Sequence, residues 1–413
     1  MKLFLIVFLS FLSVNVNSQE IVEFRGVGRT GHYNGSGLMK KWPDSGPEIV
    51  LKIEGISKGF SQPIVAEEKI FITGIKDEGT DLISAYNMNG DLIWETSYGN
   101  SWVRSYPDSR CTPTYEAGKL YVASGTGQLS CINAKTGKIL WNVDVIEKYG
   151  GEIHLHGDAE SPLVVNDVVV YTTGGEKFTM VAFNKTNGTE VWKAQSLGGA
   201  KSYASSVLIV RNGKNIILVQ TTKNMIAINS VNGEIEWHHN LDNFYSGSQG
   251  EGAQANPAIY LNNEIFVTSG YDHPATMFSI AENNRSVELK WKNKTLNTHH
   301  GGVVLVDGNL YGSNWQNNSR GQWVSVNWES GATNWEVDWN NKGSVIFSDG
   351  MLYMYEEKGG NVALATPSAQ KLDIVSSFKV EDGAGPHWAH PAIYEGKLYI
   401  RHGDVLMVYN IKA

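Results

Sequence analysis

The chain has 413 residues, of which 41% are hydrophobic and only 18% are charged, so it can bury a sizeable core. Its formal net charge is −8, and no run of Lys or Arg forms a basic patch, so a nucleic-acid partner is not expected. Aromatic residues make up 11% of the chain, with 13 Trp and 18 Tyr, and this composition favours strands over long surface helices.

The first 18 residues are predicted to be a secretory signal peptide. Lys2 supplies the positive end, the apolar stretch from Leu3 to Val14 is too short to span a membrane, and Val16–Ser18 offers small residues for cleavage. No cysteine follows this stretch, and no other apolar run is long enough to cross a bilayer. We therefore expect an exported protein, periplasmic or secreted, without a lipid anchor or a transmembrane segment.

Residues 19–47 are predicted to form an N-terminal arm that lies across the main domain. The glycine-rich stretch "RGVGRTGHYNGSG" (25–37) has the composition of a phosphate-binding loop. Such a loop needs a strand before it and a helix after it, and neither context surrounds this stretch. Phosphate binding is therefore not expected there.

From residue 48 onward the chain repeats a phrase in which a glycine precedes an aromatic residue by four positions, as in "NGDLIW", "TGKILW", "NGTEVW", "NGEIEW" and "SGATNW". The aromatic residues that end the units lie 43 to 54 residues apart, at Trp94, Trp141, Trp192, Trp237, Trp291, Trp335 and Phe378. A period in the forties is the signature of a repeat architecture. We expect these aromatic side chains to pack between neighbouring units, because they bring large apolar area.

Each unit is predicted to hold four short strands. In the second unit they span residues 112–116, 119–124, 128–133 and 138–143, joined by short turns that mostly contain glycine. Four antiparallel strands per period of forty-odd residues predict a propeller blade. Cys111 precedes the first of these strands and Cys131 lies on the third, which is too far for a disulfide, so two free, buried thiols are expected.

The strand count predicts a closed ring. After Phe378 only 35 residues remain, with three strands, and the missing fourth strand is available at Glu48–Gly55. Pairing the two ends of the chain makes an all-β, eight-bladed propeller of residues 48–413 and removes exposed strand edges. The alternative is two separate β-domains, but the even period argues against a boundary.

The phrase "NAKTGKILW" and its variants at 90–94, 188–192 and 233–237 resemble the repeat of the PQQ-like, quinoprotein-type β-propellers, over about residues 45–410. The resemblance implies eight blades, and the family includes quinone-dependent alcohol dehydrogenases and non-enzymatic BamB-like scaffolds for envelope assembly. The dehydrogenases carry adjacent cysteines, whereas the cysteines here are twenty residues apart. The scaffolds carry a lipidated cysteine, which this chain lacks. The chain is most similar to the small exported members of the family.

The residues just before each inner strand are expected to converge at one mouth of the central channel. Six of the 11 histidines fall in these segments. The candidate catalytic residues are His300, His390 and Tyr203. The candidate ligand-binding residues are Arg110, His154, His156, Glu160, His299, Lys342, His387, Trp388 and Arg401. For Arg401, in the turn "RHGD", the sequence leaves open which end of the channel it reaches.

Such a funnel suits a small polar or anionic ligand, for example PQQ, a sugar or a sugar acid, in a role accessory to polysaccharide utilisation. Neutral imidazole can act as a general base, so an enzyme acting on uronic acids or a quinone- or metal-dependent oxidoreductase is one alternative. A BamB-like envelope scaffold with a protein partner is the other. No specific motif supports PQQ or a divalent metal as the cofactor, and the histidines of a water-filled channel can serve the backbone alone.

Overall fold

The computed structural model describes residues 20–77, 79–241 and 252–413, in which eight four-stranded antiparallel sheets form the blades of a propeller. The predicted signal peptide, residues 1–18, lies outside the described residues. Two strands precede the repeats, β1 (His32–Tyr33) and β2 (Ile49–Glu54). The prediction of an all-β, eight-bladed ring is confirmed.

The first four blades each take four consecutive strands, from the centre of the ring outwards. Blade 1 holds β3 (Ile64–Ala66), β4 (Lys69–Gly74), β5 (Thr80–Asn87) and β6 (Leu92–Asn100). Blade 2 holds β7 (Thr114–Glu116), β8 (Lys119–Ala123), β9 (Gln128–Asn133) and β10 (Ile139–Asp144). Blade 3 holds β11 (Leu163–Val165), β12 (Val168–Thr172), β13 (Phe178–Asn184) and β14 (Glu190–Gln195). Blade 4 holds β15 (Val207–Arg211), β16 (Lys214–Gln220), β17 (Asn224–Asn229) and β18 (Ile235–Asn240).

The next three blades follow the same order. Blade 5 holds β19 (Ile259–Leu261), β20 (Glu264–Val267), β21 (Ala275–Ile280) and β22 (Val287–Asn293). Blade 6 holds β23 (Val304–Val306), β24 (Asn309–Ser313), β25 (Trp323–Asn327) and β26 (Thr333–Val337). Blade 7 holds β27 (Gly343–Ser348), β28 (Met351–Glu356), β29 (Asn361–Thr366) and β30 (Asp373–Lys379).

Blade 8 is completed by the start of the propeller sequence. Its inner strands are β31 (Ala392–Tyr394), β32 (Lys397–His402) and β33 (Val405–Asn410), and β2 pairs antiparallel with β33, so that Ile53 lies opposite Leu406. The predicted closing strand, Glu48–Gly55, thus differs from β2 by one residue at each end. Closure of the ring by the two ends of the chain is confirmed.

The part of the chain that the structure describes contains one α-helix, α1 (Val145–Tyr149), and one short 3₁₀ turn (Val27–Arg29). The Asp144 side chain caps α1 by accepting a hydrogen bond from the Glu147 amide, and Gly150 ends it in the left-handed conformation. Five residues cannot show a helical period, which is why the sequence did not indicate α1. Within the described ranges, no helix has both the length and the apolar character needed to cross a membrane.

The recurring glycine and tryptophan meet between neighbouring blades. An ideal β-carbon on Gly188 of blade 3 would lie 2.7 Å from the Trp141 ring of blade 2, and Gly188 has a φ of 71°. The Trp141 indole donates a hydrogen bond to the Lys185 carbonyl in the same turn. The same contact recurs in the pairs Gly137–Trp94, Gly233–Trp192 and Gly331–Trp291. Packing of the repeated aromatic residue between blades is therefore confirmed.

Both cysteines are buried and unpaired, as predicted. Cys111 accepts a hydrogen bond from the Ala123 amide through its sulfur. Burial raises the pKa of both thiols, that of Cys131 to about 12, so neither is a thiolate at neutral pH.

The arm enters the central channel and lies against the inner strands. Ile21 pairs with Val65 on β3, and the Tyr115 amide on β7 donates to the Val22 carbonyl. Further along, β1 adds to blade 7 by pairing parallel with β27. On the side opposite blade 7, the Arg29 guanidinium donates to the Pro162 carbonyl just before blade 3, so the arm crosses the channel.

Arg25 anchors this arm. Its guanidinium is fully buried and donates to the backbone carbonyls of Val303 in blade 6 and Val345 in blade 7. An ideal β-carbon on Gly31 would lie 2.3 Å from the Arg25 guanidinium, and Gly31 has a φ of 78°. Gly31 thus makes room for the arm's own arginine.

The Gly188→Ala variant tests the contact between blades. Its methyl group would overlap the Trp141 ring at a left-handed backbone position, and we expect a loss of about 2–4 kcal/mol in the free energy of unfolding, measured by urea denaturation. Gly213 has a φ of 73° but open space around its β-carbon position, so it is the matched control. Gly213→Ala is expected to cost only the backbone strain of about 1–2 kcal/mol. Equal losses in the two variants would contradict the packing role.

Candidate functional site

The segments that lead into the inner strands and the turns between second and third strands lie at the same end of the ring. His402 belongs to the turn between β32 and β33, and its ring nitrogens lie 2.7 Å from the carbonyl oxygens of Asp382 and Gly385, which lead into β31. This contact answers the question left open for the "RHGD" turn, which lies at the mouth end. We call this end of the channel the mouth.

Nine aromatic and imidazole rings form a continuous arc across the mouth, with centroid distances of 4.5 to 6.2 Å between successive rings. In order of contact, the arc is Trp315, Tyr271, His299, His300, Trp388, Tyr106, His156, Tyr203 and His154. When each lead-in is counted with the blade that follows it, these rings come from six of the eight blades. The predicted convergence therefore holds for Tyr203, His154, His156, His299, His300 and Trp388.

Tyrosine hydroxyls hold the imidazoles at both ends of the arc. The Tyr203 hydroxyl lies 2.6 Å from His154 Nδ1 and accepts a hydrogen bond from the His156 amide at 3.0 Å. At the other end, the Tyr271 hydroxyl lies 2.9 Å from His299 Nε2. Two tyrosine–histidine pairs thus face the same opening from different blades.

Two tyrosines of the arc were not singled out from the sequence, and both have a left-handed backbone. Tyr106 has a φ of 46° and Tyr271 a φ of 54°. Bulky residues rarely adopt this conformation, and where it persists the surrounding structure must hold it. Tyr106 is nevertheless 54% exposed, so its ring is presented to solvent and not buried for packing. The signal that could have found Tyr271 is its position in a turn at the mouth end.

The imidazoles of His156, His299 and His300 are neutral at neutral pH. Burial, reinforced by neighbouring histidine or cationic groups, lowers the pKa of His299 well below its usual range. Burial also lowers the pKa of His300, although Glu357 opposes this, and the pKa of His156, where the charge of Arg110 adds to the effect. Neutral imidazoles offer hydrogen-bond donors and acceptors to a ligand without adding positive charge.

Arg110, the predicted cation of the site, lies half-buried behind the Ser105–Tyr106 turn. It donates to the Ser105 carbonyl at 3.1 Å and to the Tyr106 carbonyl, so it holds the backbone from which the exposed Tyr106 ring projects. Burial lowers its pKa, which is the largest effect on this group. Arg110 remains a cation, because guanidinium groups do not deprotonate near neutral pH.

His390, a predicted catalytic residue, lies beneath the mouth with both ring nitrogens in internal contacts. Nδ1 is 2.9 Å from the Arg25 guanidinium, which can only donate, so Nε2 carries the proton and donates to the His300 carbonyl at 2.8 Å. Burial lowers the pKa of Arg25 to about 10 and that of His390 well below its usual range. His390 therefore links the arm to the mouth.

Glu160 and Lys342, both predicted to bind ligand, form buried ion pairs. Glu160 lies 2.9 Å from Lys201, and its carboxylate also accepts the Thr172 amide. Lys342 lies 2.6 Å from Glu357, whose other oxygen is 3.4 Å from His300 Nε2. The Lys342 ammonium also donates to the carbonyls of Asn317 and Asn318, so it is engaged by internal partners.

His387 and Arg401 are also held by internal contacts. His387 Nδ1 is 2.5 Å from the Tyr355 hydroxyl, its ring stacks on His402 at 3.6 Å, and burial lowers its pKa to about 3. The buried Arg401 guanidinium donates to the carbonyls of Ser57 and Thr73 in blade 1, across the seam where the ring closes. Burial lowers its pKa to about 9. These two residues support the walls of the mouth.

An open cleft of about 410 Å³ begins where the arc ends at Trp315. Exposed charged side chains line it, two acidic and one basic, together with an amide: Asp272, Glu336, Lys294 and Gln316. The cleft is polar and shallow, and it adjoins Tyr271 through Asp272 and through the contact of Tyr271 with Trp315. The mouth and the cleft are therefore one continuous surface.

The described residues do not fit the cofactors that the fold suggests. Within ranges 20–77, 79–241 and 252–413, no three His, Cys, Asp or Glu side chains are grouped as metal ligands. PQQ is a tricarboxylate and needs several cations, but Arg25 and Arg401 donate to backbone carbonyls and Lys342 is paired with Glu357. We derive no chemistry through either group.

A buried carboxyl near Arg110 makes stability depend on pH. Burial raises the pKa of Asp81 to about 7, and the hydrogen bond from the Gly125 amide only partly opposes this. The folded protein therefore keeps Asp81 protonated at pH values where the unfolded chain releases the proton. The stability due to neutral Asp81 is fully present below about pH 4 and is lost as the pH rises through 7.

We expect the Asp81→Asn variant to be more stable than the parent protein at pH 8 by about 2–4 kcal/mol, because it cannot ionise. The difference should disappear near pH 4. Urea denaturation at pH 4, 6 and 8 measures it, and the same change at the exposed Asp167 controls for the substitution itself. A constant difference across this range would show that Asp81 is not the titrating group.

Comparison with known proteins places the chain among PQQ-like propellers. A model of the family described as outer membrane protein assembly factor BamB matches residues 78–337. The assembly factor BamB of Yersinia pestis is 24% identical over 320 residues, which cover 75% of this chain and 75% of that protein. The predicted resemblance is thereby confirmed.

Two solved structures show the same fold. The crystal structure of BamB from Moraxella catarrhalis has a TM-score of 0.63 and 14% identity, and the match covers 88% of this chain and 99% of that one. A europium-containing methanol dehydrogenase has a TM-score of 0.66 and 12% identity, and the match covers 93% of this chain and 90% of that one. At these identities the likeness concerns the fold alone.

Proposed function

Because the chain belongs to the family described as outer membrane protein assembly factor BamB, a family of PQQ-like propellers, we propose that it is a binding protein of the cell envelope. Its working surface is the mouth, where it binds a small polar ligand. The observation that carries this proposal is the arc of nine rings, which six blades bring into continuous contact at one opening. The signal peptide expected at residues 1–18 would deliver the protein to the periplasm or beyond.

The arrangement of the mouth supports binding more than it supports packing. Core aromatic residues are buried, whereas Tyr106 is held in a strained backbone conformation and stays more than half exposed. Exposed aromatic side chains with nearby hydrogen-bonding groups are typical of ligand sites. His300 and His156 supply such groups.

The channel itself is less suited to a ligand than the mouth. The arm crosses it, and Arg25 bonds to Val303, Val345 and His390 beneath the mouth. The enzymatic alternatives depend on His300 and His390 as proton carriers, but both nitrogens of His390 are engaged. Binding at the mouth is therefore the function that the geometry supports best.

The His300→Ala variant tests this function. Its imidazole lies between Trp388 and His299 in the middle of the arc, so we expect a loss of at least about tenfold in ligand affinity, or 1.4 kcal/mol. Thermal shift with PQQ, Ca²⁺, oligogalacturonates and neutral oligosaccharides identifies a ligand, and calorimetry then measures its affinity. His238, exposed on the outer strand β18, gives the matched control His238→Ala. Equal binding by both variants, or no binding of any probe by the parent protein, would overturn the proposal.

A second candidate is a scaffold for envelope assembly, which the family match favours. Two apolar side chains beside Tyr106 support it: Val103 is 53% exposed and Leu155 is 70% exposed, on the loops that lead into blades 2 and 3. Exposed apolar groups that cluster at one face mark protein contacts. The partner would be an envelope protein with an apolar surface.

A photo-crosslinking residue at position 155 tests the scaffold. We expect a discrete crosslink to one envelope protein in living cells, because an apolar contact would bury Leu155. Val231 is 74% exposed in the turn between β17 and β18, which makes position 231 the control. Crosslinks of equal pattern from both positions would argue against a specific partner at the mouth.

A further inference from the structure

We propose that the ligand of the mouth is an uncharged oligosaccharide, bound along a groove that runs from the Tyr106 ring to the cleft between Asp272 and Glu336. This inference rests on the proposed binding function and adds the chemical class of the ligand. Three features support this inference: an aromatic platform at one end of the groove, a polar cleft at the other end, and the rings that connect the two.

The first end is an aromatic platform. The Tyr106 ring is exposed, and its neighbours Trp388 and His156 contact it at centroid distances of 5.2 and 5.8 Å. Trp388 is supported in turn by Phe60 at 5.0 Å. A pyranose ring presents one flat face of C–H groups, which packs on an exposed aromatic face and removes apolar area from water. Tyr106 offers such a face at an open surface.

The second end is a polar cleft. Asp272 and Glu336 line it with carboxylates, and Glu336 is oriented by the Asn314 amide, which donates to it at 2.8 Å. Carboxylate oxygens accept hydrogen bonds from hydroxyl groups, and these are stronger than bonds between neutral groups. Two carboxylates against the single cation Lys294 leave this end negative. An anionic ligand would be repelled there, whereas a polyhydroxylated neutral ligand would be bound.

The rings between the two ends make the groove continuous. Trp315 contacts Tyr271 at 5.0 Å, and Tyr271 contacts His299 at 4.9 Å. The imidazoles of His299 and His300 are neutral, because burial lowers the pKa of each. His300 can exchange hydrogen bonds with sugar hydroxyls without selecting for charge, whereas His299 is held by the Tyr271 hydroxyl. Because four rings separate the platform from the cleft, a ligand that reaches both ends needs more than one sugar unit.

The experiment is calorimetry on the mature protein with hexasaccharides of glucose, xylose and mannose as neutral probes and with hexagalacturonate as the anionic probe. We expect one neutral hexasaccharide to bind, and both Tyr106→Ala and Glu336→Gln to weaken it at least tenfold. Tyr106→Phe keeps the aromatic face and should keep binding, which separates the platform from a merely structural role.

Matched controls lie at the opposite end of the ring. Glu234, exposed in the turn between β17 and β18, controls for the carboxylate change as Glu234→Gln. Tyr260, on β19, controls for the loss of a tyrosine as Tyr260→Ala. Neither control variant should change the affinity for the neutral hexasaccharide.

The outcomes separate this inference from the function on which it rests. Binding of hexagalacturonate alone, lost in Arg110→Gln, would overturn the neutral ligand and leave binding at the mouth in place. Binding of a neutral hexasaccharide that is equal in Tyr106→Ala, Glu336→Gln and the controls would overturn the groove. Failure of the whole probe set, with no effect of His300→Ala on any ligand, would remove both proposals.

Discussion

The structure depends on one contact that is repeated around the ring, the packing of a glycine at positive φ on the aromatic ring of the preceding blade. Only a residue without a β-carbon fits at Gly188 against Trp141, and the indole then reaches a carbonyl in the same turn. The contact recurs at the seam, where an ideal β-carbon on Gly46, just before β2, would lie 2.7 Å from Phe378 of blade 7. The strand that closes the ring is therefore docked by the same contact that recurs at four other blade junctions.

In a ring closed in this way, the segments that precede the inner strands all lie at one mouth. The closure alone does not determine which ligand the mouth can bind. The arm limits what can bind, because Arg25 bonds to His390 and to the carbonyls of Val303 and Val345 beneath the mouth. Part of the channel is thus occupied by the chain's own arm. What remains for a ligand is the surface above the arm, where the arc of rings lies.

The fold could be predicted from the sequence because the contact between blades is local and periodic, and because β2 was required by counting strands. The site could be predicted only in part. His299 and His387 each lie five residues before the inner strand of their blade, yet His299 joins the arc whereas His387 is buried against Tyr355, a residue 32 positions away. Tyr106 and Tyr271 escaped notice because their backbone strain appears only in the folded chain. Periodicity thus locates the mouth, and contacts distant in sequence determine which side chains face it.

Most buried charged side chains of the propeller form ion pairs or hydrogen bonds within the protein and are not presented at the mouth. Lys201 pairs with Asp158 and Glu160, and Lys342 pairs with Glu357. The buried guanidinium groups of Arg25, Arg29 and Arg401 donate to backbone carbonyls. Each of these groups must be compensated where it lies, because an unpaired buried charge is too costly to keep. Arg110 donates hydrogen bonds to two carbonyls of the turn that carries Tyr106. A mouth built on such a frame would recognise a ligand by shape, apolar faces and hydroxyl groups, while the carboxylates of the cleft would disfavour an anionic one.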